Sequence, residues 1–143
     1  MASVNKNVIV VVTCPGAVLT PWRKEVQGIL VNFMPGQEIG NAMTEILFGE
    51  HNPSARLPIT FPTKENEQEF TKEQYPGVNR ATTYSEGLFV GYRWYDKKGV
   101  EPAFPFGHGL SYTKFTYDNL KISNRKVSVD VKNVGGVDGD EVA

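Results

Sequence analysis

An unbroken run of β-branched residues near the start of the chain constrains the fold more than any other feature. Residues 7–13 read Asn-Val-Ile-Val-Val-Val-Thr, with apolar side chains at consecutive positions and not at alternate ones. Such a run suits a strand that is covered on both faces, as in a parallel sheet flanked by helices. Residues 28–33 form a second apolar stretch, which predicts another buried strand. The two runs together favour a layered α/β domain.

Helical periodicity follows between residues 37 and 48. The apolar side chains there are Ile39, Ala42, Met43, Ile46 and Leu47. Their intervals of three and four predict a helix with one apolar face, ended by Gly49. A short helical turn is predicted at residues 21–26, with Pro21 near its start. Two strands are too few to complete a stable open sheet, so we expect an upstream half of the sheet outside this chain.

The pattern changes after residue 112. Three segments then alternate apolar and polar side chains, namely residues 115–117, 120–122 and 127–131. This alternation predicts half-buried antiparallel strands. Glycine-rich turn signals follow at residues 133–140,. We therefore predict the opening strands of an all-β sandwich, with a domain boundary near residues 112–116.

Composition argues against several classes of function. The net charge of −1 over 143 residues gives no electrostatic reason to expect nucleic acid or an anionic membrane as a partner,. A single cysteine, Cys14, excludes an internal disulfide and a cysteine-based zinc site, and two histidines make any metal site unexpected,. Residues 36–40 lack the G-x-G-x-x-G spacing, so no dinucleotide cofactor is expected. No apolar run approaches the roughly 20 residues that a bilayer requires, and the short run at residues 8–12 does not indicate a signal peptide.

Six short motifs occur in order between residues 21 and 112, within a region of similar pattern that covers roughly residues 7–142. They are Pro21-Trp22, Pro35-Gly36-Gln37-Glu38, Leu47-Phe48-Gly49, Asn52-Pro53-Ser54-Ala55-Arg56-Leu57-Pro58, Tyr84-Ser85-Glu86-Gly87 with Val90-Gly91-Tyr92-Arg93, and Phe104-Pro105-Phe106-Gly107-His108-Gly109-Leu110-Ser111-Tyr112. Each motif is weak alone, but in this order and spacing they resemble glycoside hydrolase family 3, and its β-glucosidases in particular. Ala55 departs from the family pattern, which usually has glycine there, and removes some freedom of the turn.

The resemblance implies a parent protein with a (β/α)8 barrel, an α/β sandwich domain and a fibronectin-III-like domain. Residues 1–112 would be the second half of the sandwich domain, a mostly parallel sheet with flanking helices. Residues 113–143 would be a truncated fibronectin-III-like domain, the first strands of an all-β, immunoglobulin-like sandwich. The sandwich domain would pack on the barrel and lend loops to the sugar pocket.

The resemblance also implies an activity, the hydrolysis of terminal β-linked glucosyl or related residues. A retaining mechanism uses two carboxyl groups about 5 Å apart. In the family the nucleophilic aspartate lies on the barrel and the acid/base glutamate lies upstream of the strands found here, so no catalytic residue is expected in this chain. We therefore expect the chain to shape the pocket for a β-glucoside or oligosaccharide and to be inactive without the barrel. A secreted, periplasmic or vacuolar parent fits the resemblance.

Four residues are candidates for contact with a sugar. Glu86 lies in the Tyr-Ser-Glu-Gly motif beside aromatic residues and is the best carboxylate candidate in the chain. Its alternative role is structural, through an ion pair with an arginine such as Arg93 or through backbone hydrogen bonds. Trp22, Trp94 and Tyr95 could stack on a pyranose ring, although large aromatic side chains are equally ordinary core residues.

The remaining features favour structural interpretations. Residues 63–74 are polar and predict an exposed loop or a short surface helix,. Cys14 is interpreted as buried packing, and His108 as part of a tight turn. Open strand edges predict either self-association or loose packing of the isolated chain. A non-catalytic carbohydrate-binding or protein-interaction module is the main alternative function, and a nucleotide-binding domain ranks last because no phosphate-binding loop is present.

Overall fold

The structure, a computed structural model, describes residues 2–143. The chain forms two compact units. The first unit comprises the described residues up to Pro35 together with Leu57–His108, and the second comprises Gly36–Arg56 and Gly109–Ala143. The elements in chain order are β1 (Ile9–Val12), β2 (Gly28–Val31), α1 (Ile39–Phe48), α2 (Tyr92–Lys98), β3 (Phe115–Ser123) and β4 (Lys126–Asn133). Neither helix within residues 2–143 is long and apolar enough to cross a membrane.

The first unit contains the predicted parallel sheet. Strand β1 pairs with β2 in parallel register, from Ile9 opposite Gly28 to Val12 opposite Val31. The pairing confirms both predicted strands and their direction. Within the described residues this cover is not supplied, because Ile9 remains 57% exposed and helix α2 packs on neither strand. Cover by segments outside this chain stays a prediction. The predicted helical turn after β1 is present, with the Arg23 N–H donating to the Thr20 carbonyl at 3.0 Å.

The core of the first unit is built around Phe61, which is completely buried. Its ring makes edge-to-face contacts with Phe33 and Phe104, at centroid distances of 6.4 and 6.2 Å. Residues 57–61 and 104–108 run antiparallel, because Leu57 bonds His108 and Phe61 bonds Phe104 through their backbones. Burying a phenylalanine of this kind contributes about 1.5–3 kcal/mol. Two segments that are distant in sequence, residues 57–61 and 104–108, therefore meet in one core.

Helix α2 was not indicated by the sequence pattern. It begins after Gly91 and ends at Gly99, which adopts the left-handed conformation with φ of 64°. The helix is seven residues long, so it is too short to display a helical period,. Tertiary packing stabilises it through Tyr95, its one buried residue,.

The second unit contains the predicted helix α1. The helix begins at Ile39, two residues later than the predicted segment, and Gly49 ends it with φ of 80° and an N–H bond to the Ile46 carbonyl. None of its residues is fully buried, and Phe48 is 81% exposed. Helix α1 is therefore present with its predicted bounds almost unchanged but with its apolar side only partly covered.

The second unit also contains an antiparallel hairpin formed by β3 and β4. The segments predicted as separate strands at residues 115–117 and 120–122 belong to one strand, which is interrupted by an irregularity between Asp118 and Lys121. Asn119 adopts φ of 56° there, a conformation that asparagine tolerates better than most residues. Most of the hairpin is exposed, because the apolar residues on one face have no covering layer among the described residues. Half-burial of these strands by the rest of a sandwich stays a prediction. No strand follows Asn133 within residues 134–143.

Candidate functional site

The most connected polar group of the first unit is the carboxylate of Glu67. Tyr95, which helix α2 directs inward, donates its hydroxyl to Glu67 Oε2 at 2.9 Å. The backbone N–H of Thr63 donates to the same oxygen at 3.1 Å, and the Thr63 hydroxyl donates to Oε1. Both Glu67 and Tyr95 are buried, with 7% and 4% of their surface exposed. This cluster fastens the loop after Pro62 to helix α2.

The hydrogen bonds decide the charge of Glu67. Burial by itself would raise the pKa of this carboxyl group, but the bonds from Thr63 and Tyr95, helped by the charge of Lys64, outweigh burial and lower the pKa below its ordinary value of 4.5,. Burial and the bond to Glu67 raise the pKa of Tyr95 to about 12. A general acid at neutral pH requires a raised carboxyl pKa. At neutral pH Glu67 is therefore an ionised hydrogen-bond acceptor and not a proton donor.

Within residues 2–143, Glu86 forms a hydrogen bond to a neutral side chain and no ion pair. Its carboxylate is half-buried and accepts a hydrogen bond from Gln74 Nε2 at 3.2 Å. The alternative of a pair with Arg93 is wrong, because the guanidinium of Arg93 lies 5.7 Å from the centre of the Tyr92 ring and the ion pair within residues 2–143 joins Arg56 to Glu141. A sugar contact by Glu86 stays a prediction.

The three aromatic candidates occupy different environments. Trp22 is half-buried in the turn between β1 and β2, and Trp94 is half-buried on helix α2. Trp94 meets Tyr95 edge-on, with their ring centres 5.2 Å apart. The burial of Tyr95 favours its alternative role as a core residue, whereas Trp22 and Trp94 keep part of their rings at the surface. Sugar stacking by these residues stays a prediction.

An open hollow of about 680 Å³ lies beside the Glu67–Tyr95 pair. Its walls combine apolar side chains, which include Leu19, Phe70 and Tyr75, with the polar side chains of Lys64 and Gln68. Aromatic faces beside amide and charged groups suit ligands with both apolar faces and hydroxyls. The sequence predicted only an exposed loop or a short surface helix here. It missed Glu67 because nothing in the local pattern distinguishes one buried glutamate from the exposed glutamates around it.

The other residues that were singled out have structural positions. Cys14 is buried at 5% exposure and unpaired, in agreement with its interpretation as packing. The ring of His108 lies 5.3 Å from that of Phe104, and the His108 N–H closes a turn on the Pro105 carbonyl at 3.1 Å. No group of three or more side chains within residues 2–143 is arranged to hold a metal ion.

Comparison with known proteins identifies what the chain is similar to. The family model described as the glycosyl hydrolase family 3 C-terminal domain matches residues 1–112. The thermostable β-glucosidase B of Acetivibrio thermocellus is 44% identical over 99% of the chain, which corresponds to 20% of that protein. The β-glucosidase of Rhizobium radiobacter is 40% identical over 99% of the chain and 19% of its own length. The chain thus spans about a fifth of the length of these curated relatives.

A solved structure extends the similarity to three dimensions. DesR, a β-glucosidase from Streptomyces venezuelae determined in complex with D-glucose, superposes with a TM-score of 0.89 at 42% identity. The superposition covers 94% of this chain and 18% of that one. Both units of the chain are therefore represented in the neighbour.

Proposed function

Because the chain belongs to the C-terminal domain family of family 3 glycosyl hydrolases, we propose that it is the C-terminal part of a β-glucosidase-like enzyme that hydrolyses terminal β-linked glucosyl residues. The observation that carries this proposal is the agreement with a glucose-bound β-glucosidase over nearly the whole chain. Similarity of this extent, at more than 40% identity, preserves the role of a domain more reliably than a shared fold would.

The chain is proposed to support catalysis without supplying the reacting groups. A retaining mechanism needs one carboxyl that is protonated at the working pH and a second that is ionised. The buried carboxylates Glu67 and Glu141 both accept hydrogen bonds that lower their pKa, so neither suits the acid role. This supports a nucleophile and an acid/base residue located on a (β/α)8 barrel and on an upstream loop. Glu86, Trp22 and Trp94 remain the proposed contributors to the sugar pocket.

The proposed architecture assigns residues 1–112 to an α/β sandwich domain and residues 113–143 to the start of a fibronectin-III-like domain. The parallel β1–β2 pair and the antiparallel β3–β4 hairpin support this division. Two-stranded sheets are marginally stable alone. The exposed apolar side chains of Ile9 and Val11 support a covering layer supplied by the barrel or by further strands.

A transplant into a related enzyme tests the proposal. The segment of the Streptomyces venezuelae β-glucosidase that superposes on this chain would be replaced by residues 8–143, and hydrolysis of an aryl β-glucoside would be measured. We expect the chimera to turn over substrate, and we expect the isolated chain and the deletion control that lacks the segment to be inactive. Hydrolysis by the isolated chain that disappears in Glu86→Gln would contradict the proposal, as would a folded but inactive chimera.

A further inference from the structure

The motif at residues 52–56 is engaged in a polar network within the second unit. Asn52 Oδ1 accepts hydrogen bonds from Ser111 Oγ at 3.0 Å and from the backbone N–H of Tyr112 at 2.8 Å. Asn52 Nδ2 donates to the backbone carbonyl of Asp138 at 3.0 Å. One amide side chain therefore joins two stretches of the chain that are distant in sequence.

Arg56 makes the second set of contacts in this network. Its guanidinium donates to the Gly109 carbonyl through Nη1 and to Glu141 Oε1 through Nη2. The hydroxyl of Tyr117, on strand β3, donates to the same oxygen of Glu141. The side chain of Glu141 is 6% exposed and that of Arg56 is 25% exposed. Glu141 is thus the most deeply covered residue of its segment.

Residues 138–142, here called the acidic segment, have little else to hold them. They read Asp-Gly-Asp-Glu-Val and form neither helix nor strand. Val142, the one hydrophobic side chain among them, is 59% exposed. Gly139 lies so close to Asn52 that a Cβ atom at this position would overlap with Nδ2. Within the described residues the segment has no strand ladder and little apolar burial, so polar contacts are its main attachment, and segments held in this way open at low free-energy cost,.

We propose that Glu141 is a charge-dependent latch, which holds the acidic segment against residues 52–56 while its carboxylate is ionised and releases the segment when the charge is lost. The latch is independent of the proposed sugar chemistry, since its groups lie in the second unit and touch no candidate sugar residue. It gives the Asn52–Arg56 motif a conformational role.

The contacts also set the direction of the pH response. The hydrogen bond from Tyr117 and the interactions with Arg56 outweigh the opposing effect of burial and lower the pKa of Glu141 below 4.5. Attachment is therefore complete above the ordinary carboxyl pKa and is lost as the pH falls through the lower value of the folded state. Arg56 and Tyr117 are the ionisable groups that act on Glu141, and the pKa of Tyr117 is raised above its ordinary value of 10.0 by the hydrogen bond to Glu141. Among residues 2–143 no group bonds the buried Glu141 Oε2, so a proton placed there would gain no acceptor from them.

Backbone ¹⁵N relaxation of the 143-residue chain tests the latch. At pH 7 the amides of residues 139–142 should have order parameters near 0.85, as in rigid backbone, and in Glu141→Gln they should fall below about 0.6. The matched control is Asp140→Asn, which removes the same charge from the neighbouring residue and should behave as the parent chain. Gly139→Ala, which blocks docking sterically without changing charge, should release the segment at every pH.

A pH titration completes the test. The parent chain should lose order in residues 139–142 below pH 4.5, while Glu141→Gln should show no further change, and the amides of α1 should report in each case that the unit stays folded. Order retained at pH 7 in Glu141→Gln, release of equal size in Asp140→Asn, or an acidic segment already mobile in the parent chain at pH 7 would each overturn the proposal.

Discussion

At the scale of single residues, the hydrogen-bond donors around a carboxylate show whether it has a structural role, and its place in a sequence motif does not. Glu86 stands in the most recognisable motif but has one side-chain donor, Gln74. Glu67 stands in a stretch without a motif and has three donor contacts from Thr63 and Tyr95. A buried carboxylate is stable only when such donors compensate for its lost hydration. Burial and donors therefore identify structural carboxylates that sequence motifs overlook.

The Glu67–Tyr95 bond should contribute measurably to stability. We expect Tyr95→Phe to lower the free energy of unfolding by about 1–3 kcal/mol at pH 7, because a buried charged acceptor loses one donor. Urea denaturation monitored by circular dichroism would measure the change, with Tyr84→Phe, at an 85% exposed position, as a control that should show none.

The same bond should respond to pH in a defined direction. Since the pKa of Glu67 is lowered in the folded chain, its stabilising contribution is complete above 4.5 and disappears as the pH falls through the folded value,. The difference between the parent chain and Tyr95→Phe should therefore shrink in acid. A difference that stays the same at pH 7 and in acid would contradict an ionised acceptor.

At the scale of elements, glycine positions define where both helices end. Helix α1 ends at Gly49 and α2 ends at Gly99, each in the left-handed region. The first of these ends was predicted, because the helix before Gly49 is long enough to show its period. The second was not predicted, because seven residues rich in aromatic side chains show no period of their own,.

Substitution of Gly99 should test the ending of α2. A Cβ atom at this position would meet no atom within 4 Å, so only the positive φ opposes it. We expect Gly99→Ala to destabilise the chain by about 1–2 kcal/mol. Gly40→Ala is the matched control, because Gly40 lies in α1 without a positive φ and with open space around it, and it should stabilise by about 0.5–1 kcal/mol,. Equal effects of both substitutions on urea midpoints would show that φ does not decide the outcome.

At the scale of the whole molecule, the chain exposes much of its apolar surface. Pairing of Tyr117 with Val131 and of Ile122 with Val127 places these side chains on one face of the hairpin. Ile122 is 71% exposed and Val127 is 64% exposed. Contiguous apolar faces and open strand edges of this kind are typical of surfaces that another layer covers.

We predict that the isolated chain associates through the hairpin face and the open strand edges. Its sedimentation coefficient should rise with concentration, and Ile122→Lys should reduce this rise. Ser123→Lys adds the same charge at the next position, on the opposite face, and should leave association unchanged. A parent chain that sediments as a monomer at all concentrations would contradict the prediction.

Local signals in the sequence were sufficient for much of the fold and for the family. Consecutive β-branched residues predicted β1 and β2, a period of three and four predicted α1, and ordered motifs predicted the family that the comparisons then confirmed. These features depend on neighbours a few positions apart, so the sequence alone carries them. The cover over each sheet stays a prediction, because cover depends on which chain segments pack there and not on the strand's own residues.

Only the tertiary structure decided which polar side chains are buried and which partners they bond. Tyr95 meets Glu67 across 28 positions of sequence, and Arg56 meets Glu141 across 85. No local pattern encodes such pairs, since the free energy of a buried charge depends on donors that the fold brings from elsewhere. Periodicity and motif order in the sequence determined the secondary-structure elements and the family. Long-range packing determined which charged side chains are buried and hydrogen-bonded, and which of them can form the proposed latch.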